Sequence, residues 1–154
     1  MTSWRTAWHR ALRSGSTAAA LSGVALAICG KLENDAAAGP LNGPSQWVWG
    51  EWAGHRRRPT WRHTVLCYAI HHVASLWWAL LYEKHVVRLV ATRPAPVRFA
   101  ASAVTAAIAC SADYRIARGR LQPGFEKQLS RKSLLLVYAA FAVGLAIWPC
   151  HADK

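Results

Sequence analysis

Residues 63–85, HTVLCYAIHHVASLWWALLYEKH, are long and apolar enough to cross a bilayer, yet they carry His71 and His72 side by side near the middle. About 20 such residues span a hydrocarbon core of about 30 Å. Imidazoles in that core cost free energy unless protein groups meet them. The rest of the chain must therefore give this helix a packed or polar neighbour.

Apolar residues recur in four blocks along the 154 residues, and Arg and Lys lie between the blocks rather than on alternating faces. A soluble helical bundle would show polar residues every third or fourth position. Residues 133–148, SLLLVYAAFAVGLAIW, contain nothing more polar than Ser and Tyr. Mean hydropathy is only +0.09 because the connecting segments are rich in Arg. The expectation is all-α: an integral membrane four-helix transmembrane bundle, a single membrane domain over 1–154. Its spans are expected at about 15–31, 62–82, 97–114 and 132–148, with a short interfacial helix in the first loop. Abundant Ala, Arg and Trp with few Phe and Lys fits a high-GC bacterial gene, which points to a bacterial inner membrane.

The net charge of +12 has two readings. Nucleic-acid binding needs a recognisable module, and no zinc-finger or RNP pattern is present. Basic loops beside membrane spans, touching anionic headgroups, account for it more simply. The expected partners are thus the lipid bilayer, anionic lipids included, and no nucleic acid. Cys29, Cys67, Cys110 and Cys150 are dispersed, each in or beside an apolar block, where Cys acts as a small hydrophobe.

Residues 1–14 place Trp4, Ala7, Trp8 and Ala11 at helical spacing, an interfacial turn leading into the first span. In that span Gly15, Ala19, Gly23 and Ala27 recur every fourth residue, a face for close helix approach inside the bundle or between copies. Self-association, or membership of a larger membrane complex, is expected through it. A secretory signal ending at Ala36-Ala37-Ala38 and a lipoprotein box at Cys29 are competing readings. The long distance to Ala38, the bulky Ile28 and three further apolar blocks favour an uncleaved first helix.

The first loop holds Glu33, Asn34 and Asp35, turns at Gly39-Pro40 and Gly43-Pro44 around Asn42, and a Trp-rich segment that Ser45 can cap. It is expected to pack against the bundle. Pro94 and Pro96 open the third helix, Pro123-Gly124 turns the third loop, and Pro149 ends the fourth helix. Glu83-Lys84 and Glu126-Lys127 read as solvated interfacial charges. The first and third loops carry 11 Lys and Arg and the opposite side 8, while the basic N-terminus argues the other way, so orientation stays open.

At 100° per residue, Thr64, Cys67, Tyr68, His71, Ser75, Trp78 and Tyr82 form one stripe, with His63 at its edge and His72 pointing about 100° away. His71 lies about 12 Å deeper than His63. Ser102, Thr105 and Asp113 share a face of the third helix. Topology puts Glu33, Asn34, Asp35, His63 and Asp113 on one side, so a polar funnel opening toward the first loop is expected.

Three chemistries fit such a funnel. His63, Cys67 and His71 at i, i+4 and i+8 offer a ligand set for zinc or copper. Bis-histidine haem is disfavoured, because the other spans hold no interior His. His71, His72 and Asp113 with Glu33 or Asp35 are candidates for proton or solute handling. The leading expectation is plainer: His71 bonds to Ser or Thr across a helix interface, fixes register and needs no cofactor. No GxSxG, phosphate-cradling loop or buried carboxylate pair supports catalysis.

The set ENDAAAGPLNGPSQWVWG, HTVLCYAIHHVASLWWALLYE, CSADY and LQPGFEKQLS resembles a group of small uncharacterised bacterial inner-membrane proteins with four predicted spans, over about Glu33 to Ser130. Gln46 stands where that pattern often has His. The resemblance implies topology and no reaction. Because only His71 of the pair faces the stripe, His71→Leu should disturb assembly in the membrane, read as the detergent-extractable folded fraction, more than His55→Leu. Equal effects would mean that the stripe is idle.

Overall fold

Ser3 starts the first helix by accepting a hydrogen bond from the Thr6 N–H at 3.0 Å, which satisfies one of the orphan donors of a helix N-terminus. From there α1 (Trp4–Asn34) runs unbroken for 31 residues, about 46 Å at 1.5 Å per residue. The expected interfacial turn and first span are thus one helix. Asp35 ends it in the left-handed region at φ 54°, its N–H returning to the Gly30 and Lys31 carbonyls. The computed structural model describes residues 2–148, the Arg120 side chain excepted, so Pro149 and Cys150 lie outside the described residues. The described residues are 82% helical, with no strand among them.

Three more long helices follow: α2 (Trp61–Val90), α3 (Ala95–Ile116) and α4 (Arg131–Ala146). α1, α2 and α3 are each long and apolar enough to cross a membrane, consistent with a multi-pass membrane protein. α4 has 16 residues, about 24 Å. Among the described residues, three helices of spanning length are therefore present where four were expected. Val24, Val73, Val104 and Leu135, one from each long helix, are all more than half exposed. Outward apolar side chains on every long helix suit hydrocarbon and not water.

α1 is the central element, packing α2 and α4, and α4 in turn carries α3. Small residues make this approach possible. A Cβ added at Gly15 would run into Leu76 and Ala79 of α2, and one added at Gly144 of α4 would run into the Ala18 backbone. The small-residue face of α1, expected inside the bundle or between copies, is taken up within the chain. Ala11, Ala18, Tyr82, Phe141 and Leu145 form the main core, and Leu26, Phe125, Leu129 and Val137 a second one beneath the loops.

α2 outruns its expected end at Tyr82 because Tyr82–Val86 forms a π turn rather than a terminus. An α-helix sets successive residues 100° apart, and the wider π turn shifts that period. Tyr82 and Glu83 are accordingly both buried, 1% and 6% exposed. Glu83 is not the solvated charge that was expected. Ser14 hydrogen-bonds to it and the Arg10 guanidinium lies close.

The first loop packs down, as its Pro and Trp content suggested. Its helical turn Gln46–Trp49 has no capping bond from Ser45, but Trp47, Trp49 and Trp52 remain over a third exposed, placed for a headgroup belt. The first and third loops meet backbone to backbone at Gly43 and Gly124, where a Cβ on either would strike the other. Trp47 Nε1–H donates to the Gln122 carbonyl at 2.9 Å, and Gln128 Nε2–H to the Gly54 carbonyl at 3.0 Å.

Gly144→Leu should force α4 off α1 and cost about 1–3 kcal/mol or more, the range for overpacking. Thermal unfolding in detergent should show a lowered midpoint for it, and little change for the outward Val104→Ala.

Candidate functional site

The residues expected to share one funnel fall into three separate polar groups. The first lies between α1 and α2. His71 Nε2 is 2.9 Å from Ser22 Oγ, and His72 Nε2 is 3.1 Å from Ser16 Oγ. Ser22 has a single hydroxyl proton, and its 2.6 Å bond to the Ala18 carbonyl claims it. An Nε2–H on His71 suits this contact, since Ser22 Oγ keeps a lone pair to accept it. The Tyr68 ring stands 6.3 Å from His71 and 5.9 Å from His72. Both histidines are held to α1, through different serines two turns apart.

On its other side His71 borders a pocket of about 50 Å³, lined also by Ser75, Asp113 and Tyr138. Such a space is wide enough for a water or two, each needing about 30 Å³ in the liquid. Ser75 Oγ–H donates to the His71 carbonyl at 2.8 Å, and Tyr138 O–H donates to Asp113 Oδ2. His71, Ser75 and Asp113 thus do come together. The opening does not: Phe125, 5% exposed, closes the loop side with its ring 5.9 Å from that of His71. Ser102 and Thr105, on the same side of α3, bond back to the carbonyls of Phe99 and Ala101.

The second group centres on Asn42, which is fully buried. Its Nδ2 donates to the Arg56 and Arg58 carbonyls at 3.0 and 3.1 Å, and its Oδ1 accepts from Thr64 at 2.8 Å. Cys67 Sγ lies 3.5 Å from the Asn42 carbonyl. His63 packs edge-on against Trp49 and Trp52, with ring centroids 6.1 and 6.2 Å away. His63, Cys67 and His71 therefore face Trp rings, Asn42 and Ser22 respectively and do not converge. Among the described residues no three His, Cys, Asp or Glu side chains form a metal-holding group. Successive i, i+4 steps share a face, but each side chain meets a different neighbour.

The third group is the acidic segment, which serves α4. Glu33 accepts from the Ser130 N–H at 2.7 Å, from Ser130 Oγ at 2.6 Å and from Ser133 Oγ. A carboxylate there meets the orphan donors and positive dipole end of α4. Asn34 donates to the Gln128 carbonyl. Asp35 stays exposed and pairs with Lys31, whose hydrogen bond and charge hold its carboxyl below the ordinary range. Neither acid reaches a histidine.

Sequence reasoning missed Ser16, Ser22 and Tyr138 as the partners. Ser22 was within reach of it, since it lies beside Gly23 on the small face of α1. Nothing in the spacing marks Tyr138. Ser22→Ala and His71→Leu should be non-additive, with a coupling of about 0.5–2 kcal/mol in a double-mutant cycle followed by unfolding in detergent. Additive effects would mean that the contact carries no stability. No protein-family model, curated protein or solved structure matches the chain.

Proposed function

We propose that the protein is a four-span bacterial inner-membrane protein acting as a non-enzymatic accessory component of a membrane assembly. The observation that carries this is the satisfaction of both mid-helix histidines by serines of α1. Groups bonded in this way clamp two helices in register. α4 enters as the fourth span because it packs against α1 and α3 and because interfacial flanks can complete a short crossing. Outward Trp residues and basic loops suit contact with anionic headgroups. Assembly with other copies or partners uses a surface other than the small-residue face of α1.

A second reading is favoured by the His71–Ser75–Asp113 cavity: a proton or small solute held between α2 and α3. Cysteine-accessibility labelling in intact cells and detergent extraction test the first reading together. The first and third loops should label from one side and residues 91–94 from the other, and the chain should need detergent. A monomer soluble without detergent would overturn the membrane reading. Loss of a proton or solute flux in Asp113→Asn vesicles, with unfolding unchanged, would replace the clamp by the second reading.

A further inference from the structure

A second and larger cavity, about 720 Å³, runs between α3 and α4, within the roughly 300–1,000 Å³ of small-molecule sites. Its walls are apolar and smooth, built from residues such as Ala103, Ala107 and Leu135. From Ala103 to Tyr114 it covers about 16 Å of helix, close to the half-thickness of a hydrocarbon core of about 30 Å. The polar residues gather at the loop end, where Tyr114, Glu126 and Arg131 line it.

That end is charged in an unusual way. Both Glu126 carboxylate oxygens and the Tyr114 hydroxyl are buried, and none has a hydrogen-bond partner. Glu126 was expected to be a solvated surface charge and is not. A buried carboxylate without donors is costly, so its surroundings call for a donor, preferably cationic. Arg131 lines the same end, exposed and, among the described residues, in no ion pair. A carboxylate and a guanidinium lining the same end complement a head group carrying an ammonium and a phosphate.

We propose that this groove binds an ethanolamine phospholipid of the bilayer, its primary ammonium on Glu126, its phosphate on Arg131 and one acyl chain along the alanine wall. A primary ammonium brings three N–H donors to the two carboxylate oxygens. A choline head has the charge but no N–H, and a glycerol head has neither the charge nor the ammonium. A planar guanidinium suits phosphate. The assignment rests on the membrane reading above.

The test is native mass spectrometry of the full chain exchanged into equimolar dioleoyl ethanolamine, choline and glycerol phospholipids. Ethanolamine lipid should be retained about tenfold over choline lipid, the worth of one charge-assisted hydrogen bond. Glu126→Gln should abolish that preference, and Arg131→Ala should weaken retention of both. If Glu126→Gln does not fold, the wild type decides alone: retention should fall stepwise through mono- and dimethylated ethanolamine lipids as N–H donors are lost. Equal retention of all three lipids, preference for the glycerol lipid, or no retained lipid with a second copy covering the groove would each overturn the proposal. A chain soluble without detergent fails the membrane reading itself. A detergent-requiring chain without lipid preference fails only this assignment.

Discussion

The close approach of α1 to α2 and α4 is the constraint on which the other contacts depend. Gly15 lets the backbone of α2 come near, and Gly144 lets α4 rest on Ala18. Serine hydroxyls are short, so Ser16 and Ser22 reach the histidines only because the helix axes are this near. Larger residues on α1 would leave both imidazoles facing hydrocarbon or an unfilled gap. In lipid, where apolar contact gives no advantage over the solvent, tight packing and interhelical hydrogen bonds must hold helices together.

Polar groups are distributed accordingly. Several buried ones are served by a neighbour from elsewhere in the chain: His71 by α1, Asn42 by the loop leading into α2, Asp113 by Tyr138 of α4. Glu126 and Tyr114 are among those that are not, and both line the loop end of the groove between α3 and α4. Three π turns, Trp61–Val65, Tyr82–Val86 and Ala112–Ile116, each carry a titratable residue, His63, Glu83 or Asp113. Widened turns loosen the helical ladder where such side chains must be aimed.

Helix content, the three spanning helices and the inward stripe of α2 were legible because they depend on composition and on a period of 3.6. Cys67, Ser75 and Tyr82 of that stripe are buried, whereas Tyr68 is 36% exposed. Partner identity was not legible. Period places a side chain on a face but does not say which atom of the next helix it meets, so the acids near the first loop were matched to histidines when Glu33 in fact meets Ser130. Glu83 escaped because a π turn breaks the period itself. The closure by Phe125 escaped because a loop residue folds inward through contacts that no local pattern records.

The Glu33 contact has a consequence for how the chain is made. Its partner Ser130 lies 97 residues downstream. A chain emerging from the N-terminus at about 5–20 residues per second completes α1, the first loop, α2 and α3 before the start of α4 exists to meet that carboxylate. Until then Glu33 has only water or headgroups around it. α4 thus docks onto an end of α1 that was made well before it, and the contact between them closes only after the two helices in between are in place.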